Sequence, residues 1–437
     1  MYINRIEPFP IMKYLQIYLI CSVLLYVFGP ISWVTHYPLL TFVLIAAYQF
    51  SLYAGYKAGL TSADCHQGNS IFSKSWFIKN YFVLAFIVII IGAMMMMRIA
   101  MLYGFSDISS LVETAFTSAS DIYNDDKLVD TGSQMFGGTI LSLLYGFMGP
   151  ITILFMPTTI IFFRELSFSK KVIGIIACVI LSLSKAVAGT NEGFFEPITL
   201  LLVGLILKPK QSNVGKKKRS FAWLWIIIGV IGIITMFNLV MSDRNGEHYE
   251  FSQLGENSIN YNSVIFQKLP DDMQKLIIWF TFYLCQGYYG MSLALAVSEW
   301  TPLCGLGFSS YIRVNAEKIL GFDATPYTLM AGTNPHGWMY GVNWHSAYTW
   351  FASDVWWLGV PIILYFIGKL FAQTFKEASY DRNPVSIGMF TLLLMLIIFI
   401  PMNTKIFANS DSFFAFFFYL FALKYRKKPS TQWPNYR

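Results

Sequence analysis

Residues 79–100 read KNYFVLAFIVIIIGAMMMMRIA, and no charged side chain occurs between Lys79 and Arg98. About 20 predominantly apolar residues are the length that crosses a bilayer as an α-helix. A soluble domain breaks its apolar residues into shorter or periodic stretches, whereas runs of this kind recur along the whole chain. The stretch therefore predicts a helix whose solvent is lipid.

Composition supports the same class over the full length. The 437 residues are 55% hydrophobic and 13% charged, with a mean hydropathy of +0.52. The net charge of +7 comes from Lys and Arg clusters between the apolar runs, which is the pattern of membrane topology rather than of nucleic-acid binding. No metal-ligand spacing is visible, and no nucleic-acid partner is predicted.

Hydropathy predicts an all-α polytopic membrane protein with about ten transmembrane helices. The whole chain, 1–437, is treated as one transmembrane domain because no repeat or soluble appended domain is visible. The predicted spans are 12–33, 37–57, 79–100, 136–162, 172–189, 194–208, 221–241, 354–374, 385–401 and 406–423.

The basic clusters orient these spans, because Lys and Arg concentrate on the cytoplasmic side. Placing them inside puts both termini in the cytoplasm and predicts a multi-pass inner-membrane protein. It leaves two outer loops, 101–135 and a long one at 242–353. The apolar stretch 276–297 would invert the later loops if it crossed the membrane, so a non-spanning or re-entrant helix is predicted there. The polar and glycine residues at its middle, Gln286 to Gly290, favour a broken or surface-lying helix.

Cations near the outer face are the first candidates for chemistry, since charge is costly in hydrocarbon and Arg offers a planar fork to phosphate oxygens. The alternative is that such cations extend toward lipid headgroups or pair with carboxylates. The candidates are Arg244, Arg313, Arg98 and Lys185.

The segment 188–197 is predicted to form a tight outer turn with Glu192 and Glu196 at its rim. Two carboxylates there would orient sugar hydroxyls or a cation, but Gly193 and Pro197 equally explain a simple helical hairpin. The choice stays open from the residues alone.

The end of the long outer loop, 334–354, combines polar side chains with many aromatic ones. His345 has a titration range suited to accepting a proton from an alcohol, although a lone interfacial His is more often structural. Asp354 is predicted near the start of a helix, where the helix dipole alone explains a carboxylate. The aromatic residues fit an interfacial belt or a groove for sugar rings.

Three motifs carry a family resemblance, and the first is the stretch from Tyr283 to Gly290 with Gly305 to Phe308. It resembles the Tyr-Leu-x-Gly-Gly and Gly-x-x-x-Phe patterns of the bacterial O-antigen polymerases, the polysaccharide repeat-unit polymerase family, with the O-antigen ligases as a more distant likeness. Asn343 and Asp354, with Gly359, resemble its Asn, Asp-x-Gly ending. His345 resembles the histidine motif of the ligases. The layout of spans and loops is similar over most of the chain, but many relatives carry an Arg where this chain has Glu192 and its neighbours.

The resemblance implies a membrane-embedded glycosyltransferase of the C class that needs no metal or cofactor. It would transfer a growing glycan from undecaprenyl diphosphate to an incoming lipid-linked unit at the periplasmic face. A chain-length regulator in the same membrane is the implied protein partner, beside membrane lipids. The implied site comprises His345, Asp354 and Glu192 as catalytic residues; Arg244, Arg313, Arg98 and Lys185 on the diphosphate; and Asn343, Tyr288, Tyr289, His336 and Glu196 on the glycan.

Two alternatives remain. A ligase would transfer the same kind of glycan to lipid A core and shares donor, fold and histidine motif with a polymerase. A transporter or flippase for the same lipid would carry charges along a path at mid-helix positions. The mid-helix positions here are nearly free of charge, which favours chemistry at the outer face.

Overall fold

The computed structural model describes residues 11–61, 72–102, 104, 107–117, 136–187, 191–207, 235, 237–238, 241 and 254–424. Within these residues nearly all secondary structure is helical. The helices are α1 (Ile11–Phe28), α2 (Pro38–Thr61), α3 (Lys74–Lys79), α4 (Tyr81–Leu102), α5 (Ile108–Thr117), α6 (Phe136–Phe162), α7 (Phe168–Ala186), α8 (Asn191–Leu207), α9 (Val264–Gln267), α10 (Asp271–Ala294), α11 (Ser310–Leu320), α12 (Ala347–Tyr380), α13 (Pro384–Phe399), α14 (Lys405–Ala408) and α15 (Ser410–Lys424).

Short 3-10 helices occupy Phe163–Glu165, Thr325–Tyr327 and Ala331–His336. Two short strands, Ile31–Ser32 (β1) and Ser258–Ile259 (β2), pair antiparallel with Ile31 opposite Ile259.

Five of the described helices are long and apolar enough to cross a membrane. They are Ile11–Phe28, Pro38–Thr61, Tyr81–Met101, Leu143–Glu165 and Ala347–Tyr380. Phe195–Leu207 and Pro384–Phe399 are shorter apolar helices. The predicted all-α membrane character is therefore confirmed, whereas the count of ten spans stays a prediction. The predicted span 221–241 lies almost entirely outside the described residues.

The chain forms two compact units. Unit 1 contains 1–66, 249–381 and 392–413, and unit 2 contains 67–248, 382–391 and 414–437. In unit 2, α4 packs on α6 and α7, and α6 packs on α8. Glycines allow close contact there: a Cβ at Gly92 would lie 2.7 Å from the Ile180 side chain, and one at Gly204 would lie 2.7 Å from that of Ile160.

Unit 1 is organised by the parallel pair α2 and α12. Glycines let the two backbones approach, as small residues do between membrane helices. A Cβ at Gly55 would lie 1.9 Å from the Tyr365 carbonyl oxygen, and one at Gly368 would lie 2.1 Å from that of Leu52. At the far end Lys376 Nζ donates to the Leu60 carbonyl at 3.0 Å.

We expect Gly55→Val to destabilise unit 1 by more than ~3 kcal/mol, because the clash is with backbone that no rotamer change relieves. The thermal midpoint of the protein in detergent measures this effect. Ala47→Val adds comparable volume at an exposed position of the same helix and should leave the midpoint nearly unchanged. Equal midpoints for the two variants would contradict the close packing.

The helix α10 corrects one prediction. The stretch around Gln286 to Gly290 is an uninterrupted part of a 24-residue helix, and residues 284–294 are buried. The broken or surface-lying helix predicted here is therefore wrong. The glycines serve contact instead: a Cβ at Gly287 would lie 2.2 Å from the Pro401 carbonyl oxygen and 2.7 Å from the Ser346 nitrogen.

The helix α12 begins seven residues before the predicted span, at Ala347, and kinks at Trp356, whose φ is 59° and ψ is 168°. Asp354 therefore lies at the end of a first helical segment rather than near the start of a helix. The helix-dipole explanation for this carboxylate is wrong as well, because the end of a helical segment disfavours negative charge.

Candidate functional site

The motifs that carry the family resemblance lie together in unit 1. Gln286 Oε1 accepts the Trp344 N–H at 3.0 Å, and the Gly287 carbonyl accepts the Ser346 N–H at 2.9 Å. A Cβ at Gly290 would lie 2.8 Å from His345 Cδ2. One face of α10 thus receives the segment 343–346, which leads directly into α12.

This junction lies level with the interior of the apolar helix α1, away from its two ends. The Tyr18 hydroxyl in α1 donates to the Ile398 carbonyl at 2.7 Å, and Ser22 lies 2.9 Å from the Tyr288 hydroxyl. Ser22 is six residues from the end of α1, which at 1.5 Å per residue is about 9 Å along its axis.

Non-helical backbone occurs at this level. The Ala347 N–H donates to the Ile400 carbonyl at 2.9 Å, and residues 401–404, which follow α13, are not helical. Backbone of this kind is tolerated at membrane depth only where protein buries it or where it lines a cavity. Helix discontinuities in membrane proteins are also where binding sites form.

His345 is buried, with 1% of its surface exposed. Its Nε2 lies 2.9 Å from the Thr333 hydroxyl oxygen. Burial lowers the pKa of His345 to about 3, opposed by a hydrogen bond with the Asn343 backbone. The imidazole is therefore neutral at pH 7, and it reaches a substrate proton only if the Thr333 contact opens.

This burial predicts a pH dependence of stability. Below pH 6.5 His345 is protonated in the unfolded chain but not in the folded one. The free energy of unfolding therefore decreases as the pH is lowered, by up to about 1.4 kcal/mol per pH unit. Thermal midpoints between pH 6.5 and 4.5 measure this loss. His345→Gln should flatten the profile, whereas His336→Gln, at an exposed position, should not. Identical profiles for wild type and His345→Gln would contradict the prediction.

Arg313 is a buried cation of unit 1, with 1% exposure, and Lys405 of the same unit is buried as well, with 2%. Its Nη1 donates to the Leu306 carbonyl at 2.7 Å and to the Gly307 carbonyl at 3.3 Å, and Nη2 donates to the Tyr340 hydroxyl. The guanidinium carbon lies 5.1 Å from the centre of the Tyr340 ring and 5.4 Å from that of Trp350.

The guanidinium has no direct anionic partner among the residues that the structure describes: its partners are two carbonyls, a phenol and two aromatic faces. Its Nε is buried and makes no hydrogen bond there. A buried, desolvated cation whose direct hydrogen-bond partners are neutral is a favourable place for an anionic ligand.

Asp354 fixes the loop that holds Arg313. Its Oδ1 accepts the N–H groups of Gly305 at 2.8 Å and Gly307 at 3.1 Å, and its Oδ2 accepts the Phe308 N–H at 2.7 Å. Three charge-assisted bonds occupy the carboxylate. Its contacts are with the loop 305–308 and not with the His345 ring.

The predicted glycan-binding residues of unit 1 have structural contacts. Asn343 Oδ1 accepts the Met339 N–H at 3.0 Å. The buried Tyr288 contacts Ser22, and the buried Tyr289 packs edge-on against Trp338 with ring centres 4.8 Å apart. His336 is exposed, and its ring centre lies 5.8 Å from that of His36.

The remaining predicted site residues do not lie in described parts of unit 1. In unit 2, Lys185 pairs with Glu196 at 2.8 Å and lies 5.2 Å from the centre of the Tyr145 ring, so two residues predicted to contact substrate contact each other. Arg98 is half-buried in α4. The Glu192 side chain and Arg244 are outside the described residues.

Sequence reasoning did not assign site roles to Thr333, Tyr340, Trp350 or the loop 305–308. Tyr340 and Trp350 belonged to the aromatic residues predicted to form an interfacial belt or a groove for sugar rings. Nothing in the spacing of 27 residues between Arg313 and Tyr340 indicates their contact. Gly307 was the sequence feature that pointed to a close contact of this loop. In the structure that contact is with Asp354, whose Cγ would lie 2.9 Å from a Cβ at position 307.

The fold and the site together define a mostly helical membrane protein with a buried arginine beside a helix discontinuity. Comparisons with protein-family models, with curated proteins and with solved structures found no match. The functional argument therefore depends on the site itself.

Proposed function

We propose that the protein is a membrane glycosyltransferase that polymerises lipid-linked polysaccharide repeat units, with Arg313 as the cation that binds the diphosphate of the lipid carrier. The observation that carries this proposal is that the buried Arg313 guanidinium makes no direct ion pair with any residue that the structure describes. Phosphate oxygens match its planar fork, and a diphosphate would supply the negative charge that its immediate partners do not.

Entry of the diphosphate requires Tyr340 to move. This half-buried ring contacts Nη2 and covers one side of the guanidinium. It is followed by Gly341, whose φ of 87° suits a glycine. Displacing the ring frees Nη2, which with Nε forms the edge of guanidinium that pairs with two phosphate oxygens.

The reaction is a displacement at the anomeric carbon of the growing glycan. A hydroxyl of the incoming lipid-linked unit forms the new C–O bond, the C–O bond to the diphosphate breaks, and the hydroxyl proton passes to a base. Negative charge develops on the departing undecaprenyl diphosphate, and a cation fixed beforehand stabilises it. His345 remains the candidate base, once the Thr333 hydroxyl is released.

The proposal includes the finer topology: about ten spans, a C-class glycosyltransferase fold, and a site at the periplasmic face of a bacterial inner membrane. The large loop contributes Arg313, and the chain-length regulator is the expected protein partner. The near absence of charge at predicted mid-helix positions supports an enzyme over a transporter.

The experiment that tests the proposal is the lipopolysaccharide pattern of cells that lack the protein, with and without the wild-type chain restored. Loss of the ladder with a remaining core-plus-one band, reversed by the wild-type chain, is the expected result. Bare core would instead indicate a ligase or an export defect. An unchanged ladder would overturn the assignment to O-antigen glycan.

A further inference from the structure

Two peptide units separate Asp354 from Arg313, and each contacts both side chains. The Leu306 carbonyl accepts from Arg313 Nη1, while the N–H of the same peptide unit, on Gly307, donates to Asp354 Oδ1. The Gly307 carbonyl accepts more weakly from Nη1, while its partner N–H, on Phe308, donates to Asp354 Oδ2.

The arrangement is electrostatically consistent. A peptide unit carries a dipole of about 3.5 D, with its positive end at the N–H and its negative end at the carbonyl. Both dipoles therefore have the carboxylate at the positive end and the guanidinium at the negative end. Polarisation by one charge strengthens the bond to the other, because hydrogen bonds in a chain are cooperative.

The loop is built for this contact. Gly305 has a φ of 104°, which a side chain disfavours, and the absence of a side chain at Gly307 lets the loop approach Asp354. The loop is also held from outside, since the Thr404 hydroxyl donates to the Phe308 carbonyl at 3.1 Å. Neither Asp354 nor Arg313 makes a direct ion pair within the part of the chain that the structure describes.

We propose that Asp354 is a positioning residue that sets the orientation and charge balance of Arg313 through the two peptide units of the loop 305–308. Asp354 does not touch the substrate. Its carboxylate stabilises the buried guanidinium from a distance and leaves the Nε and Nη2 edge available for the diphosphate, so this role depends on the proposed function for its catalytic consequence.

A double-mutant cycle tests the link with Asp354→Asn, Arg313→Gln and the double variant, each in the full-length chain. Asparagine keeps the shape of the Asp354 side chain but removes its negative charge. It also leaves one oxygen to accept hydrogen bonds where the carboxylate has two. We expect Asp354→Asn to lower the elongation rate per folded molecule at least tenfold and to raise KM for the lipid-linked unit. The double variant should elongate within twofold of Arg313→Gln alone. A fold-loss in the double variant equal to the product of the two single fold-losses would show that Asp354 acts independently of Arg313 and would overturn the proposal.

Two further variants separate positioning from simple folding. Asp354→Glu retains the charge and should recover part of the elongation rate that Asp354→Asn loses. Asp323→Asn alters an exposed aspartate whose Oδ1 accepts the Thr325 N–H at 2.8 Å and should leave the rate unchanged. If Asp354→Asn yields no folded protein, the cycle is run with Asp354→Glu. A double variant whose fold-loss equals the product of the two single fold-losses again overturns the link.

Thermal midpoints of the same variants test the link without any enzymatic assay. The drop caused by the Asp354 variant should be at most half as large in the Arg313→Gln background as in wild type, because the partner charge is gone. Equal drops in both backgrounds would overturn the link. If Arg313→Gln elongates normally but the midpoints are coupled, the proposed function fails while the positioning contact stands.

Discussion

If the proposed polymerase activity holds, we expect replacement of Arg313 by alanine to lower the elongation rate of lipid-linked glycan by roughly 10²–10³-fold, the loss that follows when one fixed donor to a developing negative charge is removed. The guanidinium is held by two carbonyls of its loop, so once Tyr340 has moved and the diphosphate has bound, the proposed site would need little further reorganisation as charge develops. Arg313→Lys should recover only part of the rate, because a point charge cannot reproduce the planar fork. Quantified ladders from complemented cells and initial rates with purified protein measure the effect.

The control for this prediction is Lys268→Ala. Lys268 is an exposed cation of the same unit, and its removal should leave the ladder intact. Comparable losses from the two variants would mean that total positive charge matters rather than this site. Wild-type elongation by folded Arg313→Ala would remove Arg313 from the mechanism.

We expect Gly287→Val to destabilise unit 1 by more than ~3 kcal/mol and to abolish the proposed elongation. The new side chain would meet the Pro401 carbonyl and the Ser346 nitrogen, which are both backbone atoms. Either α10 moves away or the segment before α12 shifts, and both movements displace the junction that holds His345. Yield of folded protein, its thermal midpoint and the ladder report the two consequences separately.

Met273→Val is the matched change on the exposed face of the same helix, and neither the midpoint nor the ladder should change. A Gly287→Val protein with wild-type midpoint and ladder would contradict the close contact between α10 and the segment 344–346.

Membrane character could be predicted from the sequence because it depends on local composition. The run 79–100 is long and uncharged, and α4 occupies it with bounds that differ by two residues at each end. Hydropathy failed where protein rather than lipid surrounds the helix. The first turns of α12 contain Thr349 and Ser353, which are fully buried, so the helix starts before the apolar run does.

The site was predictable in its parts but not in its connections. Arg313, His345 and Asp354 were singled out as polar groups near a membrane surface. Their contacts depend on chain segments far apart in sequence: Thr333 for His345, Tyr340 for Arg313, and the backbone of 305–308 for Asp354. Glycines 287 and 290 were interpreted as a helix break because isolated sequence does not distinguish a glycine that breaks a helix from one that allows close packing.

The most direct test of the polymerase assignment is a reaction of purified protein in lipid nanodiscs with the lipid-linked repeat unit as both donor and acceptor. The assignment predicts that glycans of two or more units and free undecaprenyl diphosphate appear together, and that both are lost with Arg313→Ala but not with Lys268→Ala. Glycan that stays one unit long in the presence of folded wild-type protein would contradict it.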